Sequence, residues 1–279
     1  MELPPPEPSK TWRTSGGDLS DDEWDLIADL LDPPTRSKMG RPREHTRRSI
    51  ADAIFYVAAT GCQWRNLPDK YPPWSTVHHY HVTWSRDGTW ERVCDRLRNL
   101  VRLAEGREAE PSAGIIDART VRGAPTVTTT HPRHSEMTRG YDGGKKISGR
   151  KLFGLVDTIG LLVGIRVVAA GVSDNAGGIM VFDLARPKTD RLGRIWVDAG
   201  FKKAFATHVR TRRVAVEVVN KIHPAGFHVL PRRWVVERTW SWLMNNRRLQ
   251  VDYERDPVVT EGFIWAAHSR RLLRRLTES

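Results

Sequence analysis

The sequence predicts a mixed α/β protein preceded by a small all-helical module. Three observations predict it. Apolar residues recur at helical spacing up to about residue 103. After residue 113 they shift to short strand-like runs. Those runs come first as a meander and then alternate with helical patterns, as in a central sheet covered by helices.

Residues 1–18 read as a disordered lead, rich in proline and acid. Ser20 reads as an N-cap, with Glu23 completing a capping box and Trp24, Ile27, Leu30 and Leu31 at helical spacing. Pro33-Pro34 ends that helix, and a basic turn follows at Gly40-Arg41-Pro42-Arg43. A second helix is expected over Thr46 to Thr60, closed by Gly61. Ser75 is expected to cap a third, with Val77, Tyr80 and Trp84 on one side, and Gly88 to close it. Thr89 is expected to cap a fourth, carrying Trp90, Val93, Leu97, Leu100 and Val101. Residues 19–103 therefore read as a helical module with a basic surface, consistent with a helix-turn-helix or with an ordinary helical bundle.

Residues 104–112 read as a linker, and 113–279 as the α/β domain. Its first strand ends at Ile115-Ile116-Asp117, and residues 123–150 read as a long polar loop. Lys151 to Val156 and Leu161 to Ala169 form a hairpin about the turn at Asp157 to Gly160. A helix over Ala176 to Ala185 precedes the strand Ile195-Trp196-Val197-Asp198. A helix near Phe201 to Val209, a strand from Val214 to Val219 and a helix from Pro231 to before Asp252 complete the pattern. This order matches the topology of ribonuclease H-like folds.

Composition narrows the partners. The chain has 279 residues, a net charge of +12 and 45 basic residues, of which ten are lysine. Such an excess points to a polyanion, most simply nucleic acid, against the plainer reading of an enzyme with a solvated arginine-rich surface. Cys62 and Cys94 cannot build a disulfide framework or a cysteine-rich zinc site. The longest apolar run is broken by Gly160, Gly164 and Arg166, so no membrane span is expected. The N-terminus carries no signal-peptide pattern. The 11 tryptophans outnumber tyrosine and phenylalanine, and tryptophan either fills cores or stacks on unpaired bases.

Three acids stand out. Asp117 and Asp198 each end an apolar strand, where a sheet presents ligands. Glu237 sits among apolar and aromatic neighbours on the last predicted helix, with Arg233 one turn earlier as a salt-bridge partner. Three hard carboxylates from separate elements suit two Mg²⁺ ions, which clamp the attacking and leaving oxygens of a phosphoryl displacement. Asp142, Asp157, Asp174 and Glu217 are rivals. A hairpin turn explains Asp157, Asp142 falls in the glycine-rich loop, and Glu217 is mid-strand and expected to face solvent.

The residues resemble a family. Leu19-Ser-Asp-Asp-Glu-Trp24, Gly61-Cys-Gln-Trp-Arg-Asn-Leu-Pro68, Pro72-Pro-Trp-Ser-Thr-Val77 and Asp87-Gly-Thr-Trp-Glu91 are similar to the N-terminal region of bacterial DDE transposases of the insertion-sequence-five family. So are Ile115-Ile-Asp117, Gly140-Tyr-Asp-Gly-Gly-Lys-Lys146, Gly149-Arg-Lys151, Leu155-Val-Asp-Thr-Ile-Gly160, Val197-Asp-Ala-Gly200, Pro231-Arg-Arg-Trp-Val-Val-Glu-Arg238 and Asn246-Arg-Arg-Leu249. The resemblance implies that Asp117, Asp198 and Glu237 are the DDE triad on a ribonuclease H-like fold. It implies two Mg²⁺ ions, with Mn²⁺ as a substitute. It also implies cleavage at the ends of an insertion sequence and joining of 3′-hydroxyls to target DNA. Related transposases carry Tyr, Arg, Glu and Lys around the third acid. Arg233 and Glu237 match, whereas Leu230 and Met244 replace the tyrosine and lysine, leaving Arg247 or Arg248 to supply the cation.

The expected DNA contacts follow. Ser75, Thr76, His78 and His79 open the helix assigned to base readout, and Arg41 and Arg43 resemble a groove-binding arm. The three histidines of that helix lack partners at zinc spacing. Lys145, Lys146, Arg150 and Lys151 form a basic cluster, read as phosphate contacts or as a solvated loop. Arg233, Arg247 and Arg248 flank the third acid, and Trp240 stands as a base contact or as core. The expected partners are double-stranded DNA, as terminal inverted repeats and target, and further copies of the chain in a dimer or higher assembly. The expected location is the nucleoid of a bacterial cytoplasm. The alternatives are a ribonuclease H-like nuclease and an inactive DNA-binding regulator.

Overall fold

A computed structural model of the chain describes residues 17–33, 44–127, 130–131, 134–219 and 233–278. Arg41, Arg43, Leu230 and the expected lead up to residue 16 lie outside them.

Two short helices, α1 (Asp21–Asp25) and α2 (Ala28–Leu31), open the helical region. Ser20 and Glu23 form the reciprocal capping box, with Glu23 N–H donating to Ser20 Oγ at 3.2 Å and Ser20 N–H to Glu23 Oε2 at 2.9 Å. Helix α3 (Arg47–Thr60) is capped by Thr46 and ends at Gly61, whose φ of +68° suits glycine. Helices α4 (Trp74–Arg86) and α5 (Thr89–Ala104) follow. Neither Ser75 nor Thr89 is a cap. The N-caps are Pro73 and Gly88, without side-chain capping bonds. Asp87 Oδ1 instead accepts from the Thr89 N–H at 2.9 Å, satisfying a donor at the positive end of α5.

Strand β1 (Ala113–Gly123) is longer than its apolar run. The segment read as a loop contains β2 (Thr130–His131), β3 (His134–Met137), β4 (Gly140–Asp142) and the start of β5 (Ile147–Asp157). Its polar composition concealed strands held by backbone pairing. Arg122 pairs with Gly149, where a Cβ would stand 2.0 Å from the Val121 carbonyl. Strand β6 (Leu162–Ala169), α6 (Asp174–Ala185), β7 (Arg194–Val197), α7 (Ala204–Thr211) and β8 (Ala215–Val218) match the expected alternation. Helix α8 (Arg233–Met244) is followed by β9 (Val251–Asp252) and α9 (Pro257–Thr277).

The sheet runs β6-β5-β1-β7-β8, antiparallel from β6 to β1 and parallel from β1 to β8. A meander continued by parallel strands through helical crossovers is the ribonuclease H-like arrangement. Alternation divides the core between the two faces. Ile116, Phe153, Ile195 and Val197 pack with Val181 and Phe182 of α6, Phe205 of α7 and Phe201 just before α7. Ile115, Leu152, Val156 and Trp196 belong to the other core, with Trp240 of α8 and Phe263 and Ile264 of α9.

Helix α9 is absent from the sequence reading, although every residue from Val259 to Arg270 is buried. Its polar residues masked the apolar stripe. They are matched by partners instead: Arg270 pairs with Glu23, the Leu162 N–H donates to His268 Nε2 at 3.0 Å, and the Val167 N–H donates to Glu261 Oε1 at 2.8 Å. The helix packs against α3, α4, α5 and β6, so the helical region and the sheet share one core.

Burial pushes Glu261 up to about 7 from an ordinary 4.5. A raised carboxyl contributes stability that is full below 4.5 and lost as pH rises through about 7. Glu261→Gln should flatten that decline, measured by urea melts across the interval. An unchanged profile would refute the assignment. Burial also pushes His81 and His268 down to about 3 from 6.5, and their contribution is lost as pH falls through that range.

Candidate active site

Strand pairing carries Asp117 and Asp198 to the same end of the β1–β7 pair. β1 and β7 are parallel, with Gly114 beside Ile195 and Ile115 beside Trp196. Asp117 and Asp198 stand two residues further along, Asp117 within β1 just beyond its pairing with β7 and Asp198 just past the carboxyl end of β7, the edge where parallel strands present ligands. Alternation from Ile115 puts Asp117 on the face covered by α8.

Trp240 secures that placement. Its indole N–H donates to Asp117 Oδ2 at 3.0 Å, and its ring is only 4% exposed. Gly154 makes this possible. It is the antiparallel partner of Asp117, and a Cβ there would stand 2.9 Å from the indole ring. Trp240 therefore lies on the sheet as core and as a hydrogen-bond donor. This corrects the expectation of a base contact, because a ring so enclosed offers no face to an unpaired base.

Glu237 is exposed one helical turn before Trp240. Together with Asp117, Arg119, Thr120, Lys145 and Trp240 it lines a cavity of about 320 Å³. Asp198 is outside that lining. Its Oδ1 accepts from the Gly200 N–H at 2.7 Å. Asp174 approaches from α6, since a Cβ on Gly200 would stand 2.5 Å from Asp174 Oδ2 and 3.0 Å from Asp198 Oδ1.

The other acids have local explanations. Asp157 accepts from the Ile159 and Leu161 N–H groups and pairs with Arg102, tying the hairpin to α5. Glu217 is exposed and accepts from Trp196 Nε1 at 2.8 Å. The Thr120 hydroxyl donates to Asp142 Oδ2 at 2.6 Å and holds that carboxyl below the usual range. The Gly144 and Lys145 N–H groups donate to its Oδ1, both at 3.1 Å. Asp142 thus anchors the turn that brings Lys145 to the cavity.

Arg150 and Arg248 are corrected from DNA contacts to structural residues. Arg150 is 0% exposed and donates to Asp252 Oδ2 at 2.7 Å, to Thr260 Oγ1 and to the carbonyls of Thr138 and Arg255. A guanidinium so enclosed has no access to phosphate. Arg248 is buried and paired with Glu254 at 2.6 Å. Lys151 is half-buried, with its Nζ 2.9 Å from the Val172 carbonyl and 3.4 Å from Asp174 Oδ1. Lys145, Lys146 and Arg247 are exposed. Arg233 lies in α8, and its side chain is outside the description. Ser75 and His79 are exposed on α4, whereas Thr76 and His78 are half-buried. The His78 ring meets Trp64 edge-on at 5.1 Å, and burial lowers its pKa.

The sequence reading missed Arg119, Thr120 and Gly154 around the cavity. Their signal was present in the stretch Asp117-Ala-Arg-Thr120, which continues the strand past its apolar part.

The donor set can be tested for a metal. Asp117 and Glu237 share one cavity and offer the hard oxygens that Mg²⁺ prefers, and two carboxylates suffice when water and phosphate complete the shell. Among the described residues no three His, Cys, Asp or Glu side chains group closely enough to hold an ion. The described residues thus bring two of the three acids together, a donor pair that suits a divalent cation only with water and phosphate as its further ligands.

Comparison with known proteins identifies the family. A model described as "Putative transposase of IS4/5 family" matches residues 19–94, and one described as "Transposase DDE domain" matches residues 108–272. An uncharacterised protein of Sinorhizobium fredii is 33% identical over 104 residues, covering 37% of this chain and 75% of its own length. An uncharacterised 16.2 kDa protein of insertion element IS402 from Burkholderia cepacia is 28% identical over 108 residues, covering 37% and 72%. The crystal structure of the Mos1 mariner paired end complex with Mn aligns over 90% of this chain and 83% of that one, at 9% identity and a TM-score of 0.28, too low to carry an argument. The DDE model spans more than half of the chain and takes in the strand of Asp117, the end of β7 and α8, while the IS4/5 model covers the helices before them: the chain belongs to the DDE transposases of the IS4/5 family.

Proposed function

We propose that the chain binds the terminal inverted repeats of an insertion sequence, cuts at the element's ends and joins the 3′-hydroxyls to target DNA, with Asp117, Asp198 and Glu237 as its metal-ligating acids. The observation that carries this reading is the meeting of Asp117 and Glu237 in one cavity, from a strand and a helix far apart in sequence. Two divalent ions, Mg²⁺ or Mn²⁺, would supply charge neutralisation on the reacting phosphate and its attacking and leaving oxygens. The chain's own groups do the rest. The Trp240 N–H fixes the Asp117 carboxylate, the Gly200 N–H fixes Asp198, and α8 presents Glu237 from the facing side. Lys145 and Arg119 on the cavity wall hold phosphate oxygens. Ser75 and His79, exposed at the start of α4, are offered to the repeats, as is Thr76 beside them. Arg247 takes the place of the family's missing lysine. Two ends must be joined together, so the working form is a dimer or a higher assembly on DNA, acting on the nucleoid.

The test is the purified full chain with Mg²⁺ and DNA carrying the element's end. Joining of a cut end to a second DNA supports the proposal. Cutting without joining makes the chain a nuclease, and binding without cutting makes it a regulator.

Trp240→Phe keeps an aromatic ring, smaller than the indole, and removes the donor. It should slow cutting about 10–100-fold, the usual loss when a group orienting a metal ligand is removed. Gly154→Ala should reproduce the effect by pushing the indole off the sheet. Cutting kinetics and Mn²⁺ titration check this, and wild-type Mn²⁺ affinity in both variants would refute the orienting role.

A further inference from the structure

Two hollows meet along one strand. The first holds Asp117 and Glu237, and the second, about 340 Å³, is walled by Arg122, Ile147, Met244 and Gln250. Arg119 and Thr120 line both, so the two form one groove leading down β1 from the acids. Sheet pairing explains it. β7 accompanies β1 only as far as Ile115, and β9 joins it only at Arg122. Between those points no described strand covers that edge of β1.

The cations of the groove differ from the arginines that tie the fold together. Arg86, Arg96, Arg102, Arg150 and Arg270 each face a carboxylate that ties two elements together. Arg119 and Arg122 are exposed and neither has an ion-pair partner among the described residues, whereas the exposed Lys145 also feels the Asp142 carboxylate. Cations left unneutralised beside an open channel repel one another until a polyanion enters.

We infer that this groove carries the backbone of the DNA strand next to the cut phosphate, with Arg119 and Arg122 each contacting one phosphate and Lys145 at the acid end. The inference rests on the reading of Asp117 and Glu237 as the cutting site. Five strand steps separate Asp117 from Arg122, about 17 Å at ~3.3 Å per residue. That is the rise of about five base-pair steps at ~3.4 Å each, long enough for several phosphates.

Arg119→Gln and Arg122→Gln, singly and together, test it in the full chain. Arg191→Gln serves as the control, because Arg191 is exposed and already paired with Glu108. Every protein carries Asp117→Asn to prevent cutting. Binding to a labelled duplex spanning one end of the element and its flank is followed by fluorescence anisotropy across a range of salt. A second probe has the same strand unpaired. Each groove substitution should reduce the slope of log affinity on log salt by about 0.9 on the duplex or about 0.7 on the single strand. A neutral methylphosphonate, walked along the strand, should weaken the parent protein at a groove phosphate and leave the double variant unaffected. An unchanged slope in a folded double variant overturns the groove alone, as does an equal loss in Arg191→Gln. A parent protein without salt-dependent binding to either probe overturns the transposase reading with it.

Discussion

Asp117→Asn is expected to lower strand cutting on the order of a thousand-fold or more, the scale of losing a group that stabilises charge only in the transition state. DNA binding should change little. The substitution keeps the shape of the side chain, and the amide oxygen can still accept from the Trp240 N–H, so the effect isolates the charge. Glu237→Gln should act in the same way from the other wall of the cavity. Asp142→Asn is the informative contrast. That carboxyl already serves the Thr120 hydroxyl and two turn N–H groups, so its loss should loosen the Lys145 turn without abolishing cutting. Gel assays of end cleavage decide between them. Cutting at the parent rate by Asp117→Asn would remove Asp117 from the mechanism and leave Asp174, beside Asp198, as the next acid to test.

The largest effect on stability is expected at Arg150. Its guanidinium is fully buried and serves Asp252, Thr260 and two backbone carbonyls. Arg150→Ala strands the Asp252 carboxylate in the interior, which costs about 3–5 kcal/mol in comparable pairs. In a chain of this size that lowers the melting temperature by about 10 °C. Arg150→Met combined with Asp252→Leu should recover much of the loss, because removing both charges removes the uncompensated one. Thermal and urea unfolding measure both variants. A single variant within about 1 kcal/mol of the parent would show that the pair is dispensable.

Most of the architecture was legible as pattern. Ser20 with Glu23, Thr46 with Gly61, and the runs ending in Asp117 and Asp198 are local signals, written within a few residues and independent of the rest of the chain. The strands inside 123–150 were not legible, because their composition is polar and backbone pairing holds them, β2 to β3, β4 to β5, and β5 to the more distant β1. Helix α9 was missed for a related reason. Glu261, His268 and Arg270 look like solvent-facing residues until their partners Val167, Leu162 and Glu23 are known.

The three acids show the same division. The sequence by itself determined which carboxylates end apolar strands and which one rides among apolar neighbours on a helix, since burial preference is a property of residue type and period. It also determined the net charge of +12, and so the class of partner. Only the tertiary structure decided which cations remain available to that partner. Arg150 and Arg248 are consumed by internal carboxylates, whereas Arg119 and Arg122 are left on an open strand edge. It likewise decided that Trp240 holds an acid in place. The physical reason is that pairing and desolvation depend on what lies across the fold: Gly154 opposite Asp117 makes room for the indole, and Asp252 beneath Arg150 takes its charge.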